Sequence, residues 1–255
     1  MQPYEIYALK YAGPFTSSGA LLMWVKDWEK TVERNYYIWC IKGPDAVIVV
    51  DTGVSPQLAG ARGLAGYVNP REMLGRIGVD ADTVTHVVLT HIHWDHANGV
   101  GLFPAARIYL QEREYRFWIE NSLASRPSFR FYTDDESLSC LAALKDNRRL
   151  ALLTGDREIL PGVECLLAPG HSPGLQAVAV PTVRGTAVLG SDCAHVFRNF
   201  QEDWPSSFIF DLAAWMRSYD KLRAKVASPE LLFPGHDPLM AREYPRVAEG
   251  VTRLV

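Results

Sequence analysis

The segment THIHWDHANG, residues 90–99, places His91, His93, Asp95 and His96 within six positions, using three of the seven histidines of the chain. Imidazole and carboxylate ligate zinc and similar divalent ions, and a catalytic ion typically takes about three protein ligands and keeps one position open. An HxHxDH match is expected by accident on the order of 0.0003 times in a chain of this histidine and aspartate content, so the pattern is read as chemistry. In a tight loop His91 and His93 can point to one side while Asp95 and His96 point to another, which gives two half-sites.

Further donors stand at the ends of other apolar runs: Asp51 after AVIVV, His171 after LLAPG, Asp192 after TAVLGS and His236 after LLFPG. Strand ends that face one way converge, and open sheets bind ligands at such ends. The candidate ligands His91, His93, Asp95, His96, His171, Asp192 and His236 exceed the need of one ion. Two divalent ions held with Asp95 and Asp192 as their charged ligands would keep about two net positive charges, so a water between them should ionise near neutral pH. The hydroxide so formed can attack a carbonyl that one ion polarises. Zinc is favoured, although iron, manganese and cobalt accept the same donors. His86, inside VTHVVLT, has no ligand spacing and is read as a packing residue.

Apolar runs rich in Val, Ile and aromatics predict strands at YEIYAL, NYYIWCIK, AVIVVDTG, VTHVVLTH, RIYLQ, VECLLAPGH, LQAVAVPT, TAVLGSD and LLFPGH. KGPDA between the second and third is a turn signal and predicts a hairpin. Helical patterns fall at PREMLGRIG, QEREYRFWIE and DLAAWMRSYDKLRAKVA, the last with Asp211 as N-cap and Leu212, Trp215, Met216, Tyr219 and Leu222 on one face. Residues 121–139 read as an irregular insertion that could form a lid or a pocket wall.

The motif His91-x-His93-x-Asp95-His96, PGHSPG with His171, LGSD with Asp192, FPGH with His236 and the VDTG strand end with Asp51 together resemble the metallo-β-lactamase superfamily. Within it, the spacing, the HWDHANG form and the length most resemble the N-acyl-homoserine lactonase branch. The resemblance implies an α/β chain folded as a four-layer αββα sandwich with the site at one edge of two sheets. It assigns His91, His93 and His171 to one metal, Asp95, His96 and His236 to a second, and Asp192 to a bridge between them. Asp51 would orient the metal loops through hydrogen bonds.

Asp192 stands where several true β-lactamases carry cysteine, which points away from them. The neighbouring Cys193 should face the opposite way on an extended chain and act as a packing thiol. His195 stands where the lactonase branch commonly has a tyrosine that hydrogen-bonds the substrate carbonyl or leaving oxygen. Imidazole can serve there as proton donor or oxyanion partner, so Asp95 and His195 are the candidate catalytic residues. Trp94, Phe117, Trp118, Phe129 and Trp204 are candidates for the substrate wall.

With 255 residues, a net charge of −3 and 48% hydrophobic residues, the chain is long enough to bury its own core, so a metal here need not be structural. The charge gives no field for nucleic acid or an anionic membrane, which counts against a nuclease. The N-terminal residues lack a secretory pattern, and Cys40, Cys140, Cys165 and Cys193 form no CxxC pair, so a cytoplasmic protein without disulfides is expected. These features predict a single domain over residues 1–255, monomeric or homodimeric, that uses two zinc ions to open a lactone or related cyclic ester. The alternative is hydrolysis of a thioester or amide, including a cyclic amide, at the same site.

Overall fold

The computed structural model describes residues 3–44 and 46–255. Strands β1 (Glu5–Ser18), β2 (Thr31–Lys42), β3 (Val47–Val50), β4 (His86–Val88), β5 (Arg107–Gln111) and β6 (Leu150–Leu153) lie side by side in that order. β1 to β3 pair antiparallel, and β3 to β6 pair parallel. Strands β7 (Arg157–Leu160), β8 (Val163–Leu167), β9 (Gln176–Thr182), β10 (Gly185–Ser191) and β11 (Leu232–Pro234) form a second sheet in the order β11-β10-β9-β8-β7. The chain then returns to the first sheet through β12 (Arg246–Ala248) and β13 (Val251–Arg253), and β13 pairs with β1.

Side-chain alternation sets the layers, because successive residues of a strand face opposite sides. In β2, Tyr37, Trp39 and Ile41 enter the apolar layer between the two sheets, where they meet Val178, Val180 and Leu189. Tyr36, Ile38 and Cys40 face outward against Ala59, Met73 and Leu141 of the helices Pro56–Arg62, Pro70–Gly75 and Asp135–Asp146. The outer face of the second sheet packs Ala177, Ala179 and Val188 against Trp215, Tyr219 and Leu222 of the helix Leu212–Lys225. Asp211 caps that helix by accepting from Ala214 N at 2.9 Å, an interaction worth about 1 kcal/mol. The result is the expected αββα sandwich.

All nine expected strand regions contain strands, and the KGPDA hairpin is the antiparallel pair β2–β3, although Asp45 of its turn lies outside the described residues. Strands β6, β7, β12 and β13 were not anticipated. The expectation of an irregular stretch at 121–139 is corrected: it holds the short helices Ser122–Ser125 and Pro127–Arg130 and the start of Asp135–Asp146. Asp134 caps that last helix by accepting from Ser137 N at 2.8 Å. QEREYRFWIE is helical, but it changes from an α turn, Glu112–Tyr115, to a π turn, Arg116–Glu120. Among the described residues no helix is long and apolar enough to cross a membrane.

Candidate metal centre

Because β3, β4 and β5 run parallel, their C-terminal ends open at the same edge. Asp51 follows β3, the His91–His96 loop follows β4, and Glu114 follows β5. From the second sheet, β8 leads to His171, β10 to Asp192 and β11 to His236. Two strand ends bend sharply there: Asp51 has φ 59° and Ser191 has φ 45°, in the left-handed region that non-glycine residues rarely occupy. Such strain persists only where surrounding contacts enforce it. Asp51 N donates to Val88 O at 2.8 Å, and its carboxylate accepts from Thr90 N at 2.7 Å.

The side chains meet in overlapping groups. His91, His93 and His171 form one set whose ligand atoms all lie within 4.8 Å of one another, and Asp95, His96 and His236 form another. Asp192 stands between the sets: its Oδ1 lies 3.4 Å from His96 Nε2 and 3.0 Å from His236 Nε2, and its Oδ2 lies 3.5 Å from His171 Nε2. His195 joins from the Asp192 side, with Nε2 3.2 Å from Asp192 Oδ2. His171, Asp192 and His195 also form a compact donor set.

Whether these residues suit a metal can be tested on their unsatisfied atoms. His91 Nε2, His96 Nε2 and Asp192 Oδ1 are buried without a hydrogen-bond partner. Leaving a buried polar atom unpaired costs about 1–3 kcal/mol, so three at one point are the donors a metal ion would satisfy. The far nitrogens are oriented from outside: Asp51 holds His96 Nδ1 at 2.7 Å, Phe208 O holds His171 Nδ1 at 3.0 Å and Asn35 O holds His236 Nδ1 at 2.9 Å. That is how ligating histidines are usually fixed. The donor set fits divalent ions.

Burial and neighbouring imidazoles push His91 and His93 well below the usual histidine value, and burial takes His171 to about 4. These rings are neutral and have lone pairs to give. Burial also acts to lower His96, but the Asp95, Asp192 and Asp51 carboxylates outweigh it and hold the ring well above its usual value. Burial would raise Asp192, yet His236, His195 and His96 keep it ionised, well below the carboxylate range.

A cavity of about 350 Å³ opens onto the cluster, and its wall includes His93, Asp95, His171, Asp192, His195 and His236. A larger space of about 780 Å³, between Phe197, Phe200, Val226 and Tyr244, contains none of these donors. Chemistry, not size, selects the smaller one. Of the aromatic residues expected to line the site, Trp94 does so. Phe117 and Phe129 instead pack on each other at 5.2 Å, and each also meets Phe210. Trp118 stands behind His93 at 5.4 Å, and Trp204 donates its indole N–H to Trp24 O. The wall is completed by Tyr36, Phe131, Tyr132 and Phe208, with Arg34 and Arg62.

Tyr132 and Phe131 come from the 121–139 stretch, which therefore does supply pocket wall. Tyr132 stacks on His93 at 4.8 Å, and its carbonyl accepts from Trp94 N at 2.9 Å. Cys193 is buried in the outer apolar layer near Trp215, away from the donors, as expected. His86 stacks on Tyr109 outside the cluster.

Sequence reasoning missed Glu114. This fully buried carboxylate accepts from Ile92 N at 3.0 Å and Trp118 Nε1 at 2.7 Å through Oε1, and from Gly174 N at 2.7 Å through Oε2. Ser172 Oγ donates to it as well, at 2.6 Å. It thus joins the loop between His91 and His93 to the loop after His171. The available signal was its place in the first turn after the apolar strand run RIYLQ, three residues past the strand end, where Asp51 stands directly at one.

The metallo-beta-lactamase superfamily model matches residues 32–236. An N-acyl homoserine lactonase of Bacillus thuringiensis is 28% identical over 221 residues, covering 80% of this chain and 82% of its own. The lactonase AiiB of Agrobacterium fabrum is 27% identical, with 79% and 78% covered. Among solved structures, a quorum-quenching N-acyl homoserine lactone lactonase superposes with a TM-score of 0.80 at 23% identity over 97% of this chain and 98% of its own. AidC, a dizinc quorum-quenching lactonase, gives 0.73 at 22% identity over 93% and 89%. The family match takes in strands of both sheets and every donor from His91 to His236, so the chain belongs to the metallo-β-lactamase superfamily.

Proposed function

We propose that this metal-dependent hydrolase opens a lactone or related cyclic ester at a centre of two divalent ions, zinc by preference. The observation that carries the reading is the meeting of two donor triads around Asp192, with unpartnered nitrogens of His91 and His96 aimed between them. The relatives named above, which act on lactones, support the substrate class.

In this reading His91, His93 and His171 hold one ion, Asp95, His96 and His236 hold the other, and Asp192 serves both. When bound, such a pair supplies Lewis acidity toward an ester carbonyl and lowers the pKa of water enough to give hydroxide near neutral pH. The chain's own part is positioning. Asp51, Phe208 O and Asn35 O fix the imidazoles from behind, so little reorganisation is needed when charge develops. Tyr132 and Phe208 give flat apolar faces beside His93 and His195. In this reading His195, in the cavity wall and buried, hydrogen-bonds the carbonyl or leaving oxygen of the substrate.

The test is a hydrolysis screen of the zinc-loaded protein over lactones of varied acyl length, aromatic and bicyclic lactones, thioesters and cyclic amides, read by proton release. Turnover of at least one lactone class is expected. A flat response to all lactones with turnover of a thioester or amide would replace this reading.

A further inference from the structure

Two cationic side chains in the cavity wall are unused by the chemistry above. Arg34, on β2, is half-buried; its Nε donates to Ser17 Oγ at 2.8 Å, and its guanidinium carbon lies 5.0 Å from the centre of the Tyr36 ring. Arg62, in the last turn of the helix Pro56–Arg62, has its guanidinium carbon 3.9 Å above the Trp94 ring. Among the described residues neither forms an ion pair with a carboxylate, whereas Arg71 engages Asp82 at 2.7 Å and Arg223 engages Asp203 at 2.6 Å. The carboxylates of the cavity wall, Asp95 and Asp192, belong to the donor cluster.

Contact with the Tyr36 and Trp94 rings restricts the two guanidinium groups, and although Arg34 also hydrogen-bonds the Tyr36 and Ser17 side chains, a guanidinium has five N–H donors, so several remain for a ligand. A fixed planar fork of donors matches an oxyacid anion, which it can bind through two parallel hydrogen bonds. An apolar acyl chain would gain nothing from two such groups and would have to desolvate them. Resting on the lactonase reading above, we propose that Arg34 and Arg62 select a lactone that carries an anionic group, such as a carboxylate, away from the scissile ester. The anion sits in the part of the cavity wall that carries Arg34, Tyr36, Trp94 and Arg62 while the ester reaches the donor cluster.

The test compares phthalide-5-carboxylate with the neutral phthalide-5-carboxamide, two lactones alike in ring and size, on the zinc-loaded protein. The wild type should favour the acid in kcat/KM by about 10- to 100-fold, the range of a charge-assisted hydrogen bond. The Arg34→Met/Arg62→Met double variant should bring the ratio to about one, and Arg62→Met alone, at an exposed position, should lower it several-fold. A ratio in the wild type near one, or a ratio that the variants leave intact, overturns the assignment while the lactonase reading stands. If neither compound is hydrolysed, the pair is titrated calorimetrically as ligands. Tighter binding of the acid, lost in the double variant, sustains the arginine role without the lactonase reading, and equal binding in the wild type rejects it.

Discussion

Asp51 Oδ2 lies 2.7 Å from His96 Nδ1, and both residues are buried. The carboxylate therefore fixes which nitrogen of His96 faces the donor cluster. Asp51→Asn keeps the shape but removes the charge that orients and polarises the ring, and metal affinity should fall by about 10- to 100-fold. Competitive chelator titration measures this. An unchanged affinity would remove Asp51 from the account.

Glu114 ties two loops of the site through four hydrogen bonds, so Glu114→Ala strands donors in the interior. The expected loss is about 3–5 kcal/mol in urea unfolding. Glu114→Gln retains part of the network and should lose about 1–3 kcal/mol. Burial raises the Glu114 carboxyl above its usual value. A raised folded-state pKa contributes stability that is present below the unfolded value and is lost as pH rises through the folded one. The advantage of wild type over Glu114→Gln should therefore shrink as pH rises, and an advantage that grew would contradict the assignment.

Gly235 precedes His236 for a steric reason: a Cβ there would stand 2.1 Å from Asp192 Oδ1. Gly235→Ala must displace the carboxylate placed between the two triads. Because a shift of about 1 Å at a reacting centre can cost about 100-fold, kcat/KM should fall by that order. Reduced metal content by elemental analysis should accompany the loss. Full metal occupancy and full activity would show that the Asp192 position is not critical.

Chelation should abolish turnover without unfolding the chain, because the apolar side chains of the three layers bury one another over the whole length of both sheets, well beyond the donor cluster at one edge. Far-UV circular dichroism should be retained. The melting temperature should drop, since a ligand at about 1,000 times its Kd adds about 4 kcal/mol to the folded state. Collapse of the spectrum on chelation would make the metal structural.

The donor cluster was legible because its information is short-range: a histidine or aspartate at the end of an apolar run announces both its type and its edge. His171, Asp192 and His236 carry that mark as clearly as the HxHxDH loop. Arg34, Arg62, Tyr132 and Phe208 carry none, since they become cavity wall only when β2, the helix Pro56–Arg62 and two loops pack together. The same limit explains the misread stretch at 121–139. The helix Pro127–Arg130 is too short to show a period, and the helix Asp135–Asp146 starts within the stretch and runs past residue 139, so neither half alone shows its periodicity. Phe117 and Phe129 were sensible candidates by type, and only the packing places them against Phe210.

The most direct test is an anomalous difference map at the zinc edge from crystals of the zinc-loaded protein. The account predicts two peaks about 3.5–4 Å apart, one among His91, His93 and His171 and one among Asp95, His96 and His236, with Asp192 between them. A single peak, or a peak centred on His171, Asp192 and His195 instead, would contradict it.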